Sequence, residues 1–457
     1  MHVCRRWRQI VFGSPRHLDL QLLCTHRTPV RKNLGVWPPF PILVKYGHDQ
    51  SLTYHDQDNL FAALEHADRI CHLDLSLPSW LLSKVAAEMQ EPFPTLKHLR
   101  LLSDDGNVLI FPDGFLGGAA PRLQRIALGG IVFPALPTLL SSSVDLVSLN
   151  YYNIPQTGYI SPLAMVAHLA SLPRLEMFSI GFQSIFSRPD PIPPSLVART
   201  VLPSLIYVEF KGVGEYLEQL VSQIDCPRLN QIHITYMNRL VGDFQLAQPL
   251  EFVGRSEDFE LTRLRYADVT FTKYLVSLEI YQHPPRHPNR VPVRTSISCQ
   301  GIDWQVPHIT QVLSQLSTIL SHVVHLKLED EDCQLEIVDN ADWLELLRQF
   351  SAVQTLHVSR KLAGLVVLAL EDVTEKIVAD SEVLPALNSI CLVGQPASSV
   401  NKFVAVRRFS GRPVTVVNPE MLEHADMLMK HARVLYENYE QIMRPIDRTL
   451  AENRITL

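Results

Sequence analysis

PTLKHLRL, residues Pro94–Leu101, is the phrase that decides how this chain folds. Behind its leading Pro, apolar residues stand third, sixth and eighth. Five further copies keep that pattern: Pro121–Leu128 (PRLQRIAL), Pro173–Ile180 (PRLEMFSI), Pro203–Phe210 (PSLIYVEF), Pro227–Ile234 (PRLNQIHI) and Pro385–Leu392 (PALNSICL). Asp68–Leu75, Val144–Tyr151, Ser321–Leu328 and Ser351–Val358 keep the apolar positions without the Pro. The sixth and eighth residues are apolar or aromatic in all ten copies. Side chains alternate along a strand, so these two share one face and the seventh takes the other. The seventh residues are Asp74, Arg100, Ala127, Asn150, Ser179, Glu209, His233, Lys327, His357 and Cys391. Eight of these ten are polar, as a strand with one buried and one solvated face requires.

The first seven copies begin at residues 68, 94, 121, 144, 173, 203 and 227, so the intervals are 26, 27, 23, 29, 30 and 24. Such a period is that of leucine-rich repeats, whose units bury their apolar faces only by stacking on one another. Between the phrases lie helical patterns. Asp58–Arg69 carries Leu60, Phe61, Leu64 and Ala67 at helical spacing, with Asp58 as the expected N-cap. Ser161 and Pro162 suit an N-cap and a first-turn proline. Gly214–Asp225, Gln311–Val323 and Ala341–Phe350 read alike. The Pro that opens the six clear phrases ends the helix before it and sets up the strand. The expected fold is therefore α/β: a leucine-rich-repeat-like solenoid with a curved parallel sheet and outer helices, spanning residues 58–417. Repeats of this kind build binding surfaces more often than active sites.

The period breaks between 234 and 321, so residues 235–320 form an irregular, strand-rich section. Tyr266–Phe271, Val276–Tyr281 and Val293–Gln300 alternate as plain strands there, two of them separated by the loop His283–Pro292. An inserted hairpin domain is the alternative reading. In residues 418–457 the stretch Asn418–Ile442 reads as an amphipathic helix that caps the stack. Leu422, Ala425, Met429, Ala432, Tyr436, Tyr439 and Met443 make its stripe.

Composition narrows the class. An apolar content of 46% suffices for an extended core, and the 32 prolines belong with the repeated phrase rather than with disorder. A net charge of −6 gives no overall reason to expect nucleic acid or membrane as a partner. The seven cysteines form no CxxC and no even framework. No Asn-x-Ser/Thr sequon occurs, and the N-terminus lacks the apolar core of a secretion signal. The longest apolar run, Leu362–Leu370, is too short to span a bilayer. These features predict an intracellular protein, in cytoplasm or nucleus.

Near the N-terminus, Val3, Trp7, Ile10 and Val11 share one helical face, and Gly13, Ser14 and Pro15 end the helix. Residues 16–57 then read as a linker with an opening strand through Leu18, Leu20 and Leu22. The segment VCRRWRQIVFGSPRHLDL resembles the closing helix of an F-box, with Val3, Cys4, Arg6, Trp7, Arg8, Ile10, Pro15 and Leu18 in matching places. Cys24–Ile42 and the motif GIDWQV at Gly301–Val306 are similar to stretches of fungal F-box proteins with degenerate leucine-rich repeats. The resemblance implies a substrate-recognition subunit of a Skp–cullin–F-box ubiquitin ligase. In such a complex the F-box docks on a Skp-type adaptor protein, the repeats hold a target protein, and partner enzymes do the chemistry. The leucine-proline signature of the first two F-box helices is absent, so residues 1–15 read as a remnant of the closing helix. A fragment or a misassigned start is the expected cause, with a diverged protein that has lost adaptor binding as the alternative. Val3, Cys4, Trp7, Ile10 and Val11 are the candidate docking residues, although Trp7 reads equally well as packing against the first repeat. A stand-alone leucine-rich-repeat interaction scaffold is the alternative function.

For target binding, the exposed fifth and seventh positions of the phrases supply the candidates: His72, Asp74, His98, Arg100, Arg125, Asn150, Tyr207, Glu209, Gln231, His233, His325, Lys327 and His357. Chemistry has no comparable signature. His322 and His325 make an HxxH without further ligands, so no metal is expected. No GxGxxG, P-loop, GxSxG or HExxH pattern occurs. The acidic run Glu329–Asp332 lacks the spacing and glycine of an EF-hand loop. The chain is expected to be no enzyme, to need no cofactor, and to bind neither nucleic acid nor membrane.

Overall fold

A computed structural model describes residues 21–36, 39–47, 53–103, 105–184, 199–237, 247–257, 261–283, 291–299, 301–331, 338–375 and 383–417, with the single positions 6 and 259. The candidate docking residues Val3, Cys4, Trp7, Ile10 and Val11, the expected capping helix over 418–457, and Leu18 and Leu20 lie outside the described residues. The chain divides into two units: residues 1–229 with 251–258, and residues 230–250 with 259–457.

The first unit holds eight parallel strands that neighbour one another in chain order. They are β1 (Leu22–Cys24), β2 (Ile42–Tyr46), β3 (Ile70–Leu77), β4 (His98–Ser103), β5 (Arg125–Gly129), β6 (Ser148–Ile154), β7 (Met177–Phe182) and β8 (Tyr207–Gly212). The repeated phrases coincide in register. Leu73, Leu99, Ile126, Leu149, Phe178 and Val208 form one row across β3–β8, and Leu75, Leu101, Leu128, Tyr151, Ile180 and Phe210 form the next. None of these twelve side chains is more than 1% exposed. Full burial of such a side chain contributes about 1.5 to 3 kcal/mol. A one-residue slip would turn a whole row to solvent, which is why the register is firmly specified.

The leading Pro has a definite job. In nine of the ten phrases the third residue donates its N–H to the carbonyl of the residue before the phrase, as Leu96 does to Phe93, Leu175 to Leu172 and Leu387 to Leu384. Pro therefore stands second in a β-turn, where its fixed φ fits and its missing N–H costs nothing. The fourth residue then starts the ladder by donating to its counterpart in the preceding phrase, Lys97 to Cys71, Gln124 to Lys97 and Val147 to Gln124.

The second unit keeps the phrase but reorders the strands. Its strands are β9 (Gln231–Tyr236), β10 (Tyr266–Thr272), β11 (Leu275–Tyr281), β12 (Val293–Ser298), β13 (His325–Glu331), β14 (Thr355–Val358), β15 (Ser389–Leu392) and β16 (Thr415–Val416). In space β12 lies between β9 and β11, and β10 between β11 and β13. The pairs β10–β11 and β11–β12 are antiparallel, and the rest are parallel. The strand-rich section is thus a three-stranded meander continuous with this unit's sheet, so the inserted hairpin domain is set aside. Leu326, Leu356 and Ile390 continue the buried row, in register with Ala267.

The helices between strands pack on their successors: 162–169 on 214–223, and 302–315 on 340–348, then 360–375, then 401–409. Ser161 caps its helix as expected, accepting from the Ala164 N–H behind Pro162. Two helix starts differ from the sequence reading. The first begins at Tyr54 rather than Asp58, because Thr53 and Asp56 form a reciprocal capping box. The other begins at Ile302 rather than Gln311 and carries Pro307 as its sixth residue. GIDWQV is therefore a helix start, with Gly301 at φ +79° before it. Residues 16–57, read as a linker and a strand, contain strands β1 and β2 and a helix over Val30–Val36.

Candidate functional site

The polar rows of each sheet are the surface that the repeat builds. In the first unit the seventh-position row runs Lys45, Asp74, Arg100, Ala127, Asn150, Ser179, Glu209 across β2–β8. The fifth-position row beside it includes His72, His98, Arg125, Ser148, Met177 and Tyr207. Arg100 donates to Asp74 at 2.8 Å and to the Tyr152 hydroxyl. The His72 and His98 rings stack with centroids 5.2 Å apart. Burial pushes the His72 imidazolium down from its ordinary range; Asp74 opposes that shift, and the cations Lys45 and Arg125 add to it. At the far end Ser179 and Tyr207 both donate to Glu209, at 3.0 and 3.1 Å. Tyr152 is accommodated by Gly129, where a Cβ would lie 2.5 Å from its ring.

In the second unit the corresponding row runs His233, Arg294, Glu279, Asp268, Lys327, His357, Cys391 across β9, β12, β11, β10, β13, β14 and β15. Arg294 pairs with Glu279 at 2.6 Å and Lys327 with Glu329 at 2.8 Å. Tyr281 donates to Asp268 at 2.7 Å. Burial is the main force raising the Asp268 carboxyl, to about 6; the Tyr281 hydrogen bond and Lys327 oppose it, and Glu329 and Glu279 add to it. Tyr281, Tyr266 and His325 stack in sequence, with centroids 5.5 and 4.3 Å apart. His325 also meets Thr355 Oγ1 at 2.6 Å.

The structure thus brings twelve of the thirteen candidate residues onto half-exposed or exposed strand positions, in two separate groups: eight on β3–β6 and β8, and Gln231, His325, Lys327 and His357 in the second unit. His233 is the correction. It is 7% exposed, and its Nε2 donates to the Val291 carbonyl at 3.1 Å, so it is a core contact rather than surface. Ser179 and Cys391 in the same rows are also buried, which makes the polar face less uniformly wet than the pattern predicts. Sequence reasoning passed over Asp268, Glu279, Tyr281 and Arg294, because the period fails where they lie. The alternation of YADVTF held the signal, since it puts Asp268 on the polar side.

Among the described residues, no group of three or more His, Cys, Asp or Glu side chains converges as a metal site, and His325 of the HxxH is engaged by Tyr266 and Thr355. No helix among them is long and apolar enough to cross a membrane. No sequence-family profile and no curated protein matches the chain.

Proposed function

We propose that the chain is a leucine-rich-repeat-like solenoid that holds a target protein on its polar strand face, as the substrate-recognition subunit of a Skp–cullin–F-box ubiquitin ligase. The observation that carries the binding role is the register. The phrases align residue for residue within each sheet, so their polar positions form continuous rows of varied side chains over a fully buried layer. A rigid scaffold presenting Arg, Tyr and His side chains suits recognition of another protein surface. Attachment to a ligase rests on the F-box-like residues Val3, Cys4, Arg6, Trp7, Arg8, Ile10, Pro15 and Leu18. In this reading the target's lysine is modified by partner enzymes, and the chain contributes position alone.

Retention of a Skp-type adaptor tests the proposal, using the chain as given and a version extended upstream of Met1. Adaptor bound by the extended version, and lost with Trp7→Ala, supports the ligase reading. Adaptor bound by neither version removes it and leaves a stand-alone interaction scaffold.

A further inference from the structure

We infer that strands β2–β6 of the first unit dock an extended acidic segment of the partner protein. This deepens the reading of the polar face as a protein-binding surface and rests on it. The charge on these five strands is the first ground. Lys45, Arg100 and Arg125 are exposed, whereas Asp74 is the only carboxylate in the two rows there, 16% exposed and held by Arg100. Three cations against one anion leave a positive field on a chain whose net charge is −6. The second unit offers no such excess. There the charges of Glu279, Arg294, Lys327 and Glu329 are 23–33% exposed and paired with one another.

The histidine stack is the second ground. His72 and His98 lie between the same cations, with His72 facing Lys45, Asp74 and Arg125, and Arg100 beside His98 along its own strand. Burial first, and then the cations Lys45 and Arg125, disfavour the His72 imidazolium against the opposing Asp74, and a second carboxylate laid across the rows reverses that balance. Docking of an acidic segment is therefore coupled to proton uptake. The spacing fits an extended chain. Lys45 and Arg100 stand two strands apart, roughly 10 Å, which an extended peptide covers in about three residues. The segment best matched carries Asp or Glu at every third position. A nucleic acid fits less well, because a charge on every backbone unit would meet Asp74 between Lys45 and Arg100, whereas Asp or Glu at every third position steps over it.

Fluorescence anisotropy of a labelled Glu-rich peptide against the full chain at low salt tests this, with a Lys-rich peptide and oligothymidine as comparison probes. Saturable binding of the Glu-rich peptide alone is expected. Arg125→Ala should weaken it about fivefold, as for an exposed charge contact, and Arg125→Lys should restore most of it. Asp74→Asn should tighten it, and Glu345→Gln, on the helix over 340–348 of the second unit, should leave it unchanged. Affinity should be higher at about pH 6 than at about pH 8, where His72 is neutral. Absence of binding, an equal response to Glu345→Gln, or tighter binding of oligothymidine overturns the inference. Adaptor retention measured on the same preparation separates the two readings. Adaptor bound without peptide defeats the docking inference alone, and peptide bound without adaptor leaves it standing on a free scaffold.

Discussion

The two units use the same phrase and arrive at different surfaces. In the first, strands follow one another in chain order and every connection is parallel, so neighbouring polar positions come from successive phrases. Across β2–β6 those positions include the exposed Lys45, Arg100 and Arg125 and are positively charged on balance. In the second, a meander brings β10–β12 into the ladder, and the residues on its polar side pair with one another. A buried row of apolar residues fixes where side chains point. What those side chains meet depends on which strand lies alongside, and that is set by topology. Equal cores can therefore carry an open face and a self-satisfied one.

The comparison breaks first if the cores are unequal. Ile126→Ala in β5 and Ile280→Ala in β11 should each cost about 2 to 5 kcal/mol in denaturant unfolding, since both side chains are fully buried. A cost far smaller in one unit would show that its row is not packed like the other.

A second test concerns the closed network. Asp268 titrates near 6 in the folded chain, above the ordinary carboxylate value of 3.8. The folded state therefore holds its proton more tightly than the unfolded one. The stability this gives is fully present below the unfolded value and is lost as pH rises through about 6. Asp268→Asn should stabilise the protein by about 2 kcal/mol at pH 7 and give no gain near pH 4. An unchanged stability–pH curve would mean that Asp268 is well solvated.

The open face is sharpened by Gly129→Ala. The added Cβ would lie 2.5 Å from the Tyr152 ring, so the ring must leave its seat beside Arg100. A cost of about 1 to 2 kcal/mol is expected, with a changed Tyr signal in near-ultraviolet circular dichroism. The smallest effects come from the ion pairs. Arg294→Ala strands a Glu279 carboxylate that is 23% exposed and should cost about 1 kcal/mol or more. Arg100→Ala removes a guanidinium that is 48% exposed and should cost about half as much. A reversed order, measured by thermal unfolding, would contradict the description of one face as closed and the other as open.

Most of the architecture was legible because it repeats. Ten phrases with one apolar code specify strand positions and register together, and Leu99, Ile126 and Leu149 fall into line as the code implies. Features that occur once were harder. Asp58 resembled a cap, yet Thr53 holds the helix start through Asp56, a contest between two local hydrogen-bonding options that spacing does not rank. The helix read from Gln311 begins at Ile302 and carries Pro307 inside it. The fifth and seventh positions located the face, whereas the burial of His233 depends on Val291, which comes from a part of the chain with no repeat. Long-range partners of that sort leave no local trace.

The nine turn hydrogen bonds that open the phrases, six of them over a leading Pro, carry a consequence for how such a chain tolerates change. Intervals between the first seven phrases vary from 23 to 30 residues, yet the phrases on β3–β8 stay in register; the shift between Tyr151 and Ile154 against β7 falls after the phrase has ended. Each turn resets the phase: its third residue is tied to the one before the phrase, and its fourth to the previous ladder. Length gained or lost in one connection is absorbed before the next strand begins. Insertions upstream of a turn should therefore alter the rim of the protein while the rows of the face stay aligned, so that partner preference and rim can diverge independently.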